Sequence, residues 1–126
     1  MTVVDDTPPI DGTAGGLPRR FLRPFLLLAL ARDGAAHGYE LCECVRRHGL
    51  SVDLAGVYRD LRAMEQHDLV TSQWEPSDAG PDRRVYVLTD AGQETARMSA
   101  HELSTIRDRL GSALDAFSLL AERRSA

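Results

Sequence analysis

Apolar side chains recur at helical spacing along most of the chain, and this pattern predicts three helices near its start. The first helix is expected at 19–32, the second at 38–47 and the third at 53–67. A proline is tolerated cheaply only in the first turn of a helix, so Pro24 indicates that the regular part of the first helix begins near Arg23. Residues 19–22 are then expected to form a separate turn.

Residues at the helix ends support these bounds. Gly34 is expected to end the first helix, and Gly49 is expected to end the second with a left-handed backbone. Asp53 has the side chain of an N-cap for the third helix. Thr89-Asp90 has the same character and predicts the start of a last helix at 91–121.

The third helix has one apolar stripe and one polar side. Its apolar positions step by three, four and three residues, so the stripe is predicted to be buried; its members are Leu54, Val57, Leu61 and Met64. The residues predicted to face outward are Tyr58, Arg59, Arg62 and Gln66.

Between 70 and 88 the pattern changes to a period of two. Val70, Ser72 and Trp74 alternate with three more polar residues over 70–75, and a stretch rich in turn residues follows at 76–82. The return run at 83–88 has the sequence RRVYVL. These features predict a β-hairpin with a loop of about seven residues that projects from the body. Trp74, the only tryptophan, is expected to pack the hairpin against the helices; alternatively, it forms an aromatic platform for a ligand.

The last helix contains a heptad pattern of apolar residues, which is typical of helices that pair along their length. At 1.5 Å per residue the helix would be roughly 45 Å long, more than a domain of this size can cover alone. A second copy of the chain is therefore the expected partner. The pattern begins at Ala96, and the predicted dimerisation residues are Leu103, Ile106, Leu110, Ala113, Phe117 and Leu120.

Three helices followed by a hairpin and a long helix predict a mainly α fold with a small β-hairpin, the winged helix-turn-helix. The Pro-, Gly- and Asp-rich residues 1–16 are interpreted as a disordered arm. Residues 17–90 are predicted to form a DNA-binding domain, and 91–126 a dimerisation helix and tail. In this architecture the third helix would lie in the major groove of DNA.

Composition supports a soluble globular protein. The chain has 126 residues, of which 43% are hydrophobic and 27% charged. Its longest apolar run is seven residues, against roughly 20 for a membrane-spanning helix, and its first residues are acidic where a signal peptide would be basic. We therefore expect a cytoplasmic protein.

The net charge of −4 is unevenly distributed, which leaves DNA binding open. Residues 1–16 carry a net charge of −3. Residues 17–90 contain ten arginines and eleven acidic residues, which gives a net charge of −1. All fifteen basic residues are arginine, whose planar guanidinium group forms bidentate hydrogen bonds to phosphates and guanine better than lysine does. Alternatively, the arginines only solvate a face and pair with acids such as Asp60 or Glu65. The candidate DNA-binding residues are Arg19, Arg20, Tyr58, Arg59, Arg62, Arg83 and Arg84.

Other chemistry is weakly represented in the sequence. Cys42 and Cys44 would point about 200° apart on one helix and cannot chelate a metal together. We expect Cys42 to be buried in apolar packing, whereas Cys44 is the candidate for a more exposed, redox- or metal-sensing thiol. The four histidines have no metal-ligand spacing, and no catalytic motif occurs, so we expect a non-enzyme without metal or cofactor.

Four segments together resemble the PadR family of bacterial transcriptional regulators, in the short form with one C-terminal helix. They are HGYEL at 37–41, VYRDLRAME at 57–65, DLVTSQWE at 68–75 and RRVYVLTDAG at 83–92. The resemblance implies a homodimer that binds operator DNA, usually as a repressor. It also implies release by a small molecule, often a phenolic acid or another planar apolar compound.

The resemblance also assigns roles to individual residues. Tyr58 and Arg59 match the contact pair of the recognition helix, and Arg83 and Arg84 match the arginines of the hairpin, or wing. The segment HGYEL is mainly a packing motif, in which Gly38 allows close approach and Tyr39 is expected in the core with a hydrogen-bonded hydroxyl. The segment DLAGV at 53–57 departs from the family's small polar residue, proline and Gly-Thr, and this difference affects the target sequence.

An effector is expected to bind between the first and last helices across the dimer. The candidate effector-contacting residues are Phe25, Leu103 and Arg107, with Trp74 as the aromatic platform. The rival interpretation is a winged-helix adaptor that binds a protein or ligand without reading DNA, which the acidic balance supports.

Overall fold

The structure, a computed structural model, describes residues 16–76, 80 and 83–125, with side chains as far as residue 118. The predicted N-terminal arm lies outside the described residues apart from Gly16, and most of the wing loop also lies outside them. A short 3-10 turn at Arg19–Phe21 precedes the first helix. The helices are α1 (Leu22–Asp33), α2 (Gly38–Arg47), α3 (Leu54–Gln66) and α4 (Asp90–Ser125), and the strands are β1 (Ala36–His37), β2 (Val70–Glu75) and β3 (Arg83–Leu88).

The predicted helices and hairpin are confirmed, and the structure adds one strand. The sheet has three antiparallel strands in the order β1-β3-β2. Within the hairpin, Val70 pairs with Leu88 and Glu75 pairs with Arg83. The additional strand β1 pairs Ala36 with Tyr86. Two residues are too few to show a period of two, so β1 could not be recognised from the pattern.

Local capping fixes the helix ends. The backbone of Gly34 has φ 83° and that of Gly49 has φ 104°, a region in which most side chains would be strained. At the start of α3, the carboxylate of Asp53 accepts a hydrogen bond from the backbone N–H of Gly56 at 2.8 Å. At the start of α4, the hydroxyl of Thr89 accepts one from Gly92 at 2.9 Å. The predicted caps are therefore present.

The core lies where α1, α2, α3 and the inner face of the sheet meet. Its largest fully buried side chains include Leu26, Leu30, Leu41, Leu61 and Tyr86. Burial raises the pKa of the Tyr86 hydroxyl. This core fixes the orientation of α3 and the wing relative to each other.

The predicted stripe on α3 is correct at three of its four positions. Val57, Leu61 and Met64 are fully buried, whereas Leu54 is 42% exposed, so its predicted burial is wrong. Leu54 is the first residue of α3, and although Val52 and Val57 on either side of it belong to the core, the described residues cover its side chain only in part.

The first half of α4 packs against α1, and its second half projects beyond it. Ala96 and Ser99 are buried where α4 packs on α1, and Gly92 lies against Leu69 and Leu88. With 36 residues the helix is roughly 54 Å long. Farther along, Leu110 is 59% exposed and Phe117 is 64% exposed. The second half of α4 therefore presents apolar side chains that the described part of the chain does not cover.

None of the helices in the described ranges combines the length and the apolar character that a bilayer crossing requires.

The Asp53 cap provides a direct stability prediction. We expect Asp53→Ala to lower the free energy of unfolding by about 1 kcal/mol, because the N–H of Gly56 loses its acceptor. Chemical denaturation at a fixed protein concentration measures this change. Asp108→Ala, which removes an exposed carboxylate inside α4, serves as the control and should leave the midpoint nearly unchanged. Equal midpoints for the two variants would contradict a stabilising role of the cap.

Candidate nucleic-acid interface

The outward face of α3 carries two arginines. Arg59 and Arg62 are exposed, and neither forms an ion pair with another residue in the described ranges. Glu65, a possible partner, instead accepts a hydrogen bond from the hydroxyl of Ser72 at 2.9 Å. Both guanidinium groups are therefore available to an external acceptor, and the alternative that they only pair with neighbouring acids is not realised.

The first turn of α3 lies beside Arg19. A Cβ atom built on Gly56 would lie 3.2 Å from Nη2 of Arg19, so the guanidinium group packs against this turn. Gly56 itself is buried, and its backbone N–H is held by Asp53. An arginine from the turn before α1 thus adds positive charge at the end of α3 where a recognition helix contacts DNA.

Tyr58 connects α3 to the start of α2. Its ring is half-buried and lies so close to Gly38 that any Cβ atom on Gly38 would collide with it. This close approach confirms the role predicted for Gly38. It also fixes the position of the Tyr58 hydroxyl relative to Arg59 in the next position of α3.

Tyr39 lies on the surface, so its predicted place in the core is wrong. It is 43% exposed, and its hydroxyl accepts a hydrogen bond from Nη1 of Arg83 at 3.0 Å. The guanidinium carbon of Arg83 lies 5.9 Å from the centre of the Tyr39 ring. On a helical wheel Tyr39 is about 120° from the middle of the buried side formed by Leu41, Cys42 and Val45, and this angle could have indicated its exposure.

His37 ties the wing to α2. Its imidazole nitrogens lie 2.8 Å from Oε1 of Glu40 and 3.0 Å from Oε1 of Glu75 at the end of β2. The backbone N–H of His37 also donates to Glu40 at 2.8 Å and holds the pKa of that carboxyl below its ordinary value. Sequence reasoning missed this role because Glu75 is 38 positions away in the chain.

Trp74 and Arg84 form a stacked pair on the wing. They face each other across the hairpin, and the guanidinium carbon of Arg84 lies 5.0 Å from the centre of the indole ring. Trp74 is 61% exposed, so the prediction that it packs the wing against the helices is wrong. The reason is its register, since it lies near the free end of the hairpin, beyond the core.

The remaining arginines at the start of the chain have separate neighbours. Arg20 lies over the ring of Phe21, with 5.0 Å between the guanidinium carbon and the ring centre. Arg23 reaches the other end of α3, where its Nη1 is 3.5 Å from Nδ1 of His67. The start of α2 contacts both α3, through Tyr58, and the wing, through Glu75 and Arg83. These contacts connect the two elements that carry most of the candidate DNA-binding residues.

The four candidate effector residues lie in separate places. Phe25 lines a cavity of about 360 Å³ between α1 and α2, and Trp74 lines a groove on the wing. Leu103 is half-buried on α4, and Arg107 is exposed and donates to the hydroxyl of Ser104 at 3.1 Å. The cavity that Phe25 lines and the groove that Trp74 lines are separate, and neither is lined by Leu103 or Arg107.

Cys44 also borders the α1–α2 cavity. It is buried, as Cys42 is, so the greater exposure expected for a sensor thiol is not observed. Nη2 of Arg32 lies 3.6 Å from its sulfur. Arg32 is bound mainly to Asp33 at 2.7 Å, and this contact raises the pKa of Arg32 and lowers that of Asp33.

The predicted dimerisation residues follow one side of α4. Leu103, Ile106 and Ala113 are half-buried, and Leu110 and Phe117 are exposed. The side chain of Leu120 lies outside the described residues.

Comparison with known proteins identifies relatives of the chain. Residues 27–98 match the family model described as the transcriptional regulator PadR-like family. A probable transcriptional regulator of Mycobacterium tuberculosis is 35% identical in an alignment of 98 positions that covers 72% of this chain and 50% of that protein. The chain thus spans about half the length of this curated relative.

Solved structures share the fold. A PadR-like transcriptional regulator from Bacillus cereus superposes with a TM-score of 0.68 at 24% identity, covering 76% of this chain and 93% of that one. A PadR family transcriptional regulator from Eggerthella lenta superposes with a TM-score of 0.59 at 26% identity, covering 74% of this chain and 85% of that one.

Proposed function

Because the chain belongs to the PadR-like family of transcriptional regulators, we propose that it acts as a homodimer that binds operator DNA and represses transcription. The observation that carries this proposal is the outward face of α3, where Arg59 and Arg62 have no acidic partner among the described residues. Arginine in this position binds guanine edges or phosphates. The proposed DNA-binding residues are Arg19, Arg20, Tyr58, Arg59, Arg62, Arg83 and Arg84.

The proposed docking places α3 in the major groove and the wing on the adjacent backbone. His37 and Tyr39 at the start of α2 contact Glu75 and Arg83 of the wing, so the wing cannot shift freely relative to α3. Such a fixed relation favours simultaneous contact with base edges and flanking phosphates. Arg83 and the Trp74–Arg84 pair are the wing groups that would contact the DNA.

A homodimer is favoured by the apolar side chains on the projecting half of α4. Leu110 and Phe117 are exposed in one chain and lie on the side predicted to pair. A two-fold dimer would read a pseudo-palindrome whose half-sites lie one helical turn of DNA, or a multiple of it, apart. Release by a small molecule at this interface needs a coupling free energy of only about 1–3 kcal/mol.

Fluorescence anisotropy tests DNA binding directly. The purified protein is titrated against the DNA upstream of its own gene and against a random duplex, over a series of salt concentrations. We expect tighter binding to the upstream DNA and a steep decrease of log K with log salt. Weak, equal binding to both duplexes, followed by failure to select any preferred duplex from a random library, would favour the adaptor interpretation.

Arg59 should contribute strongly to specific binding. We expect Arg59→Ala to weaken operator binding by about 2 kcal/mol, or roughly 30-fold, if the guanidinium contacts a guanine. The control is Arg97→Ala, which removes an exposed arginine from α4 and should change binding little. If operator and random DNA lose equal affinity, Arg59 contacts a phosphate and does not read a base.

A further inference from the structure

The first turn of α3 presents apolar side chains to the outside. Leu54 is 42% exposed, and Ala55 next to it is exposed as well. At about 100° per residue, Leu54 lies at the border between the buried stripe and the outward face, about 40° from Tyr58. Its exposure places it with Ala55, Arg59 and Arg62 on the outward side. Leu54 and Ala55 therefore belong to the same outward surface as the arginines.

The core does not need Leu54 at this end of α3. Val52 is buried before the helix starts, and Val57 is fully buried one turn later. The backbone between them is held by the bond from Gly56 to Asp53. Leu54 is thus a large apolar side chain on a rigid turn, with nearly half of its surface open.

The chemistry of the major groove supplies one apolar feature, the 5-methyl group of thymine. The N-terminal residues of a recognition helix are the ones that contact base edges. Leu54 cannot donate or accept a hydrogen bond, so it cannot distinguish bases by polar contacts. Ala55 is small and lets the helix backbone come close to the bases.

We propose that Leu54 contacts the methyl group of a thymine in the major groove and thereby selects thymine at that position of the half-site. This inference rests on the proposed function of DNA binding through α3. Arg19, packed against the same turn, supplies the charge for the neighbouring phosphates. A phosphate contact of Arg19 carries no sequence preference, so the preference at this base pair would come from Leu54.

The experiment first selects preferred duplexes from a random library with the full-length protein. Each thymine of the preferred duplex is then replaced singly by uracil, which removes only the 5-methyl group. We expect binding of the wild-type protein to fall by about three- to fivefold at one thymine in each half-site. Leu54→Ala should bind the thymine and uracil duplexes equally, and Leu54→Met should retain the preference for thymine.

Controls separate the contact from effects on folding. Met98→Ala removes an exposed apolar side chain from α4 and should keep the full preference for thymine. Circular dichroism and binding to random duplex should be unchanged in Leu54→Ala. If a preferred duplex is selected but no uracil replacement weakens binding, or if Leu54→Ala keeps the preference, the thymine contact is overturned while DNA binding stands. If no preferred duplex is selected, the proposed function fails and this inference fails with it.

Discussion

Gly92→Ala is expected to lower the free energy of unfolding by about 3 kcal/mol. A Cβ atom on Gly92 would collide with the backbone carbonyl oxygen of Leu69 and lie 3.0 Å from Cδ2 of Leu88. The carbonyl of Leu69 cannot move aside easily, because it accepts a hydrogen bond from the N–H of Thr89 at 3.0 Å. The clash therefore falls on the junction between the wing and α4.

Gly111→Ala provides a matched control in the same helix. A Cβ atom there would meet nothing within 4 Å in the described part of the chain. Alanine is favoured over glycine inside a helix by about 1 kcal/mol, so this variant should be slightly more stable than the wild type. Chemical denaturation at one protein concentration compares the two variants, and a Gly92→Ala midpoint equal to that of wild type would show that the junction can adapt.

The second large effect is expected from the projecting half of α4. The double variant Leu110→Asp with Phe117→Asp places two carboxylates on the proposed dimer interface, where they would repel their copies in the partner chain. We expect a monomer whose operator affinity is lower by about 100- to 10,000-fold, because the second half-site no longer binds as part of the same particle.

Light scattering after size-exclusion chromatography measures the mass of this variant, and anisotropy on full and half operators measures its binding. Met98→Asp is the control, since Met98 is also exposed on α4 but lies off the predicted heptad pattern. A double variant that remains dimeric would contradict the proposed interface. A monomer that binds the full operator as tightly as wild type would contradict the proposed coupling of the two half-sites.

Local signals explain why the helix bounds could be predicted. Asp53, Gly34 and Gly49 act within one turn of themselves, so their side chains and backbone preferences are sufficient to place an end. The hairpin could be predicted as well, because the alternation in β2, the turn residues after it and the return run in β3 lie close together in the sequence. Strand β1 has only two residues and depends on pairing with β3, which lies about 50 positions away.

Burial was harder to predict than secondary structure, and the errors have two causes. Leu54 lies at the start of its helix and Trp74 near the end of a strand. A periodic pattern gives the angle of a side chain around its element, but it does not show which positions along that element are covered by neighbours. For Tyr39, by contrast, the angle on the helix itself indicates exposure. The wing contacts of His37 and Arg83 were also inaccessible, since they join residues that are 38 and 44 positions apart.

The continuity of α4 has a mechanical consequence. Its first half is fixed to α1, and the part beyond Leu103 forms an arm of roughly 33 Å without a break. A rigid arm converts a small rotation at its base into a larger displacement at its tip. A turn of about 10° at the fixed end would displace the far end by about 6 Å. Conversely, a shift of that size between two paired arms would rotate both recognition helices away from the spacing set by one turn of DNA. The helix would then transmit torque from one end of the molecule to the other without any hinge.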